Sequence, residues 1–366
     1  MLTSSRLIAG LLLGVWPGWG GTLLLPFPLA GPKAMPVATS PAREIPASLL
    51  DLSDEDLAKL IEADPRVLGS VSIGTPGSAV LLNAVALEPG PRWEIAPGAD
   101  SWGTSETMAA IRTVVDTVYE LFPETSPLSI GDISGMLGGR LKRHESHQAG
   151  RDVDFGFYYQ PAKGTWFTPG TAANMDLPRN WALVRALLVR TDVETVFLDA
   201  RIQRLLYTYA LSIAEDKDWL DRVFQFSRGA RDAIIQHLPH HRTHYHVRFY
   251  NPVAQELGRR AHPTLVQLKL MDPPVFTVPH VVRPGQTLGH LAVRYGTSVR
   301  AIMQANGLVT TRLAVGRVYR IPMRTAAPPA QALVVPPRIL PSQTPPAMAA
   351  VSWPTAQSLY GPVSER

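Results

Sequence analysis

No cysteine occurs in the 366 residues. Its absence excludes disulfides, a thiolate-ligated metal, a cysteine nucleophile and a lipid anchor on an N-terminal cysteine, and an oxidising compartment would do the chain no harm. No run rich in lysine and arginine is present either, so nucleic acid is not an expected partner, although the net charge is +5. Acidic residues are missing before Glu44, and no long hydrophobic run goes unbroken: apolar residues continue to Ala30, but Pro17, Pro26, Pro28 and five glycines interrupt them. MLTSSRLIAGLLLGVW, with one arginine ahead of a ten-residue apolar stretch, reads as a secretory signal peptide within residues 1–30 rather than an uncleaved anchor. The chain is therefore expected to be exported to the periplasm or cell envelope, with no stable membrane span after processing.

What is present points to a packed body with 45% hydrophobic residues. Residues 31–63 read as a Pro/Ala/Ser-rich linker and a short helix, with Ser53 as its cap and Asp54, Glu55 and Asp56 in its first turn. SVSIGTPGSAVLLNAVAL predicts short strands joined by tight turns. Met108, Ile111, Val115, Val118 and Leu121 share one helical face, Arg179–Arg190 and Arg201–Glu215 predict two further helices, and VETVFLD between them predicts a strand. Strands and helices without regular alternation indicate an α+β fold. Residues 276–323 read as strand, helix, helix, strand, and residues 324–366 as a Pro-rich tail too poor in apolar residues to fold.

The chemistry concentrates in HESHQAGRDVDFGFYY, residues 144–159, and in HHRTHYHVRFY, residues 240–250. On a strand His244 and His246 point the same way and Tyr245 the other. A catalytic zinc takes three ligands from His, Asp or Glu and leaves a position for water, and His147, Asp154 and His246 supply such a set. His244 is then free to act as general base or oxyanion stabiliser, with His241 orienting it. Asp152 shares the strand face of Asp154 and reads as a solvated or hydrogen-bonded carboxylate. Ser146 lacks a GxSxG setting, so a serine nucleophile is not expected. Each motif alone is more often ordinary surface or core polarity.

Taken together, GDISGMLGGRLKRHESHQAGRDVDFGF and HHRTHYHVRF resemble the penicillin-insensitive murein endopeptidases, zinc peptidases of the lysostaphin, D-Ala-D-Ala carboxypeptidase and hedgehog-like group. The resemblance implies an antiparallel-sheet zinc peptidase core, expected over residues 64–257. It implies His147, Asp154 and His246 as Zn²⁺ ligands and His244 and His241 as the catalytic histidines. It also implies His144 at a second metal site; a hydrogen bond to a ligand of the first site is the alternative for His144, and Asp176, in MDLPRNW, is the residue expected to partner it at the second. Carboxypeptidases of the group carry a glutamate three residues before the last histidine ligand. Thr243 stands there, which favours an endopeptidase cutting D-alanyl cross-links over a D,D-carboxypeptidase.

HVVRPGQTLGHLAVRYGTSVRAIMQANGL followed by VGRVYRIP resembles a LysM module. This resemblance implies a βααβ domain whose Gly285, Gln286, Thr287, Leu288, Asn306, Gly307 and Leu308 line a groove for glycans containing N-acetylglucosamine. Both resemblances point to peptidoglycan as partner. A non-catalytic wall-binding protein is the alternative.

Overall fold

The computed structural model describes residues 47–141, 144–161, 164–225, 232–271, 277–323 and 331–342. The expected leader, the linker up to residue 46 and residues 324–330 and 343–366 of the tail lie outside them. Among the described residues no helix is long and apolar enough to cross a membrane.

The sheet that carries the site has six strands: β4 (Trp93–Ile95), β6 (Leu128–Ile130), β7 (Asp152–Gly156), β8 (Val193–Leu198), β9 (Ile235–His237) and β10 (His244–Phe249), in the order β4-β6-β7-β10-β8-β9. Its centre, β6-β7-β10-β8, is antiparallel, but the outer pairs β4/β6 and β8/β9 are parallel. The expected antiparallel core is thus a mixed sheet. Parallel neighbours need a crossover. One is α2 (Ser105–Leu121), between β4 and β6; the other is α4 (Ala200–Ser212) with α5 (Lys217–Val223), between β8 and β9.

Period-two alternation sorts the two central strands. Val153 and Phe155 of β7 and Tyr245, Val247 and Phe249 of β10 enter the main core with α2, α3 (Leu177–Arg190) and α4. Asp152, Asp154, His244, His246 and Arg248 take the opposite face. The expected face of α2 is the buried one, with Met108, Ile111, Val115 and Val118 all in this core and Leu121 at its margin.

A second core joins the N-terminal part to the far end of the domain. Ser53 caps α1 (Asp54–Ala63) by accepting from Asp56 N. Leu57 and Ile61 of α1 pack with Leu68, Val71 of β1 (Val71–Thr75), and Leu257 and Leu265 of α6 (Pro252–Gln267). β1 pairs with β2 (Ser78–Leu82) as the expected hairpin. Gly258 lets α6 approach β1, because a Cβ there would lie 2.5 Å from the Ser72 carbonyl oxygen. The expected boundaries at 64 and 257 cut through this core, which runs from Leu49 to Met271. The helix at 54–63 belongs to the body, not to a linker: its apolar face has a partner two hundred residues away that local composition does not reveal.

Residues 331–342 also depart from expectation. They form no helix or strand, yet they lie against the peptidase body. The Ile339 carbonyl accepts from Trp219 Nε1 at 2.7 Å, Arg338 meets Asp192 Oδ1 at 2.7 and 2.9 Å, and Ser342 N donates to Asp216 Oδ2 at 2.9 Å. Composition reports whether a segment can bury its own core; it does not report whether a folded surface can dock it. Ending the chain at Ala330 leaves the Trp219 indole N–H without this acceptor and should lower the thermal midpoint by roughly 2–8 °C. An unchanged calorimetric midpoint would show that the strap adds nothing.

Candidate metal centre

Antiparallel register builds the site. His246 lies directly opposite Asp154 and Arg248 directly opposite Asp152, so two cross-strand pairs stand side by side on one face of β7 and β10. His147 arrives from the preceding loop with φ +60°, a left-handed backbone uncommon for a residue with a Cβ. Its N–H donates to Asp152 Oδ2 at 3.3 Å, and its Nδ1 bonds the Ile133 carbonyl at 3.1 Å.

Three potential ligand atoms converge. His147 Nε2 lies 3.1 Å from His246 Nδ1 and 3.2 Å from Asp154 Oδ1, and His246 Nδ1 lies 3.3 Å from Asp154 Oδ1. Tetrahedral zinc with N and O ligands at about 2.0–2.1 Å separates its ligand atoms by about 3.3–3.4 Å, close to this triangle. A carbonyl can only accept, so Nδ1 of His147 carries the proton and Nε2 turns its lone pair inward. His246 Nε2 meets Asp152 Oδ2 at 3.3 Å, which likewise leaves its Nδ1 facing the centre. Asp154 Oδ1 is buried and accepts no hydrogen bond, although three imidazole nitrogens stand within 3.6 Å of it. Lone pairs so close together call for a cation among them, and the residues fit a metal.

The electrostatics agree. Burial would raise the Asp154 carboxyl, but His147, His246 and His244 hold it well below the usual range. Burial opposes a charge on His246 as well, yet the hydrogen bond to Asp152 and the Asp154 carboxylate beside the ring hold its imidazolium up to about 9, so without metal a proton supplies part of the missing positive charge. Asp152 is buried, not solvated. Burial alone would raise its pKa, yet the Arg248 guanidinium, clasping it at 2.7 and 2.9 Å, together with His246 holds it well below the usual range.

The other expected residues separate. Burial pushes His244 down to about 4, so its ring is neutral at neutral pH. Its Nδ1 meets the Thr243 hydroxyl at 2.9 Å and its Nε2 lies 3.6 Å from Asp154. The His241 ring is 5.1 Å from that of His244, but its Nδ1 bonds the Pro239 carbonyl at 3.2 Å, so it packs beside His244 without a hydrogen bond to orient it. His144, His147 and Asp154 bring their ligand atoms within 4.8 Å of one another, which makes them a second possible donor set. The triangle made with His246 is tighter and better buttressed.

Asp176 is not the partner of His144. It caps α3, accepting from Arg179 N at 3.1 Å and from the Arg179 guanidinium at 2.7 Å. An Asp immediately before Leu-Pro is an N-cap signal that sequence reasoning passed over. His144 Nε2 instead meets Asp132 Oδ2 at 2.9 Å, and this hydrogen bond raises the His144 pKa. Asp132 stood in the GD pair of the quoted motif without a role. Its neighbour Gly131 explains that motif's glycine: a Cβ there would lie 2.4 Å from the Trp166 ring. Trp166 and Phe167 were also missed. Phe167 stacks on His244 with centroids 5.3 Å apart and planes at 27°, and more than half of its surface is exposed.

In the small domain, β11 (Thr277–Val281), α7 (Leu288–Arg294), α8 (Val299–Ala305) and β12 (Val318–Pro322) follow the expected order. Several expected glycan residues have structural work. Leu288 is in the core, Thr287 caps α7, and Gln286 Oε1 meets His280 Nε2 at 2.9 Å and accepts from Arg283 N at 2.8 Å. Asn306 bridges Ile302 and Arg320 main-chain groups. Gly285 and Gly307 hold positive φ with open space where a Cβ would stand, and Leu308 is half-buried against the core.

No curated protein matches the chain. Two family profiles do. The first, the penicillin-insensitive murein endopeptidases, covers residues 72–178 and so includes His144, His147 and Asp154 but stops short of β10. The second, the LysM domain, covers residues 280–322. Residues 72–178 thus match the penicillin-insensitive murein endopeptidases and residues 280–322 match the LysM domain.

Proposed function

We propose that the chain is an exported zinc endopeptidase of the cell envelope that hydrolyses D-alanyl peptide cross-links in peptidoglycan and is tethered to the glycan by its LysM domain. One observation carries this reading: three lone-pair-bearing atoms of His147, Asp154 and His246 converge at 3.1–3.3 Å, with Ile133 and Asp152 occupying the outer ring nitrogens. Those three residues would hold Zn²⁺, which supplies Lewis acidity toward the scissile carbonyl and the attacking water.

The chain's own groups do the rest. His244, neutral at neutral pH, takes the proton from the attacking water and returns it to the leaving amine. His241, 5.1 Å away, adds a polar edge beside the carbonyl. Phe167 and Trp166 shield His244 from solvent and offer an apolar wall to a D-alanine methyl. Thr243 bonds His244 rather than serving as the glutamate base of the carboxypeptidases. Glycan binding by the LysM domain raises local substrate concentration without contacts at the bond cut.

The test incubates the full chain with cross-linked muropeptide dimers and identifies products by mass spectrometry. Dimers should become monomers, a chelator should stop the conversion and added zinc should restore it. Loss of only a terminal D-alanine would indicate a D,D-carboxypeptidase. Intact dimers with metal-replete protein that still binds the wall would indicate a non-catalytic binder.

A further inference from the structure

The LysM domain carries charge of one sign only. Residues 277–323 contain six arginines, Arg283, Arg294, Arg300, Arg312, Arg317 and Arg320, and no lysine, aspartate or glutamate. All six are exposed. The whole chain is only +5, so the rest of it sums to −1 and this small domain carries more than the entire excess.

Two of the arginines share one end of the antiparallel β11/β12 pair. Val282 N donates to the Arg317 carbonyl at 3.0 Å, which places Arg317 beside the residue that precedes Arg283, and Arg283 leads into the Gly285 turn. Arg317 and Arg294 lie over the rings of Tyr319 and Tyr295, at 5.5 and 5.6 Å. Arg320 projects from the outer side of β12, opposite Pro279, and its guanidinium comes within 3.9 Å of the exposed Glu145 carboxylate, in the loop that carries His144 and His147. An arginine of this domain thus already meets a carboxylate.

No carboxylate within the domain offsets the mutual repulsion of six like charges. N-acetylglucosamine is neutral and takes no benefit from them. The peptide stems of peptidoglycan end in carboxylates, which the planar guanidinium fork matches bidentately. We infer that the LysM domain binds peptidoglycan through its stem-peptide carboxylates as well as its glycan, with the arginines at the Arg283/Arg317 end of the β11/β12 pair as contacts. This rests on peptidoglycan being the partner; it does not require that the chain cut it.

Sedimentation of the full chain with purified sacculi tests this, with chelator present to prevent hydrolysis. Native sacculi are compared with sacculi whose carboxylates have been converted to amides, from 50 to 500 mM NaCl. Binding to native sacculi should weaken about tenfold across that range, because exposed charges are screened within a few ångströms at high salt. Amidated sacculi should bind about tenfold more weakly than native ones at 50 mM NaCl. The double substitution Arg283→Gln/Arg317→Gln should bring native sacculi toward the amidated level. Equal, salt-independent binding to both preparations would overturn the inference, as would tighter retention on phosphatidylglycerol vesicles than on native sacculi. Cleavage of soluble dimers is a separate measurement, so a failed peptidase assay leaves this result readable.

Discussion

Alanine at His147, Asp154 or His246 should each lower the conversion of muropeptide dimers by roughly 10³-fold or more, the scale of losing a group on which transition-state stabilisation depends. Bound zinc should fall with it, while retention on sacculi through the LysM domain stays. The expectation follows from the triangle of ligand atoms. With any corner removed only two donors are left, too few to hold a metal at this centre. His144→Ala separates the two donor sets. If His144 serves only as a neighbour held by Asp132, its loss should leave most of the zinc in place. Zinc and turnover that survive His246→Ala but not His144→Ala would assign the metal to His144, His147 and Asp154 instead.

Asp152→Ala should damage both stability and metal affinity. The Asp152 carboxylate is buried under a bidentate bond from Arg248, receives the His147 N–H and meets His246 Nε2. Removing it strands the Arg248 guanidinium in a largely buried position, a loss of about 3–5 kcal/mol. At roughly 2–4 °C per kcal/mol for a body of this size, the thermal midpoint should fall by about 10 °C. It also removes the group that turns His246, which should weaken zinc about 10–100-fold. Replacing both partners, Asp152→Ala with Arg248→Met, should recover much of the stability but none of the zinc affinity, because only the ion pair and not the His246 contact is made unnecessary. A thermal midpoint within 2 °C of the parent in the single variant would contradict the role assigned to the pair.

How much of this was legible beforehand depended on how far each signal reached along the chain. Helix α2 and the hairpin β1/β2 were readable because 3.6- and 2-residue periodicities are local. The meeting of His147, Asp154 and His246 was readable for a related reason: alternation on β10 puts His244 and His246 on one face, and the resemblance paired that strand with the HESHQAGRDVD loop. Asp132 was not, since nothing within its own stretch says that the Asp154 backbone passes beside it and that His144 folds back onto its carboxylate. Phe167 looked like any loop aromatic until it stacked on a histidine far along the chain. Asp176 went wrong in the opposite direction, because chemical suitability as a ligand was weighed and its place one residue before a helix was not.

By itself the sequence determined the strongly periodic elements such as α2 and the β1/β2 hairpin, the two regions with family matches and the chemical character of the site, since residue type and local period carry those. Only the tertiary structure decided the register that sets Asp152 against Arg248, the docking of residues 331–342, the mixed sheet, and which nitrogen of each histidine faces the centre. Each of these depends on contacts between segments far apart in the chain, where packing and hydrogen-bond satisfaction choose among arrangements that local sequence leaves equal.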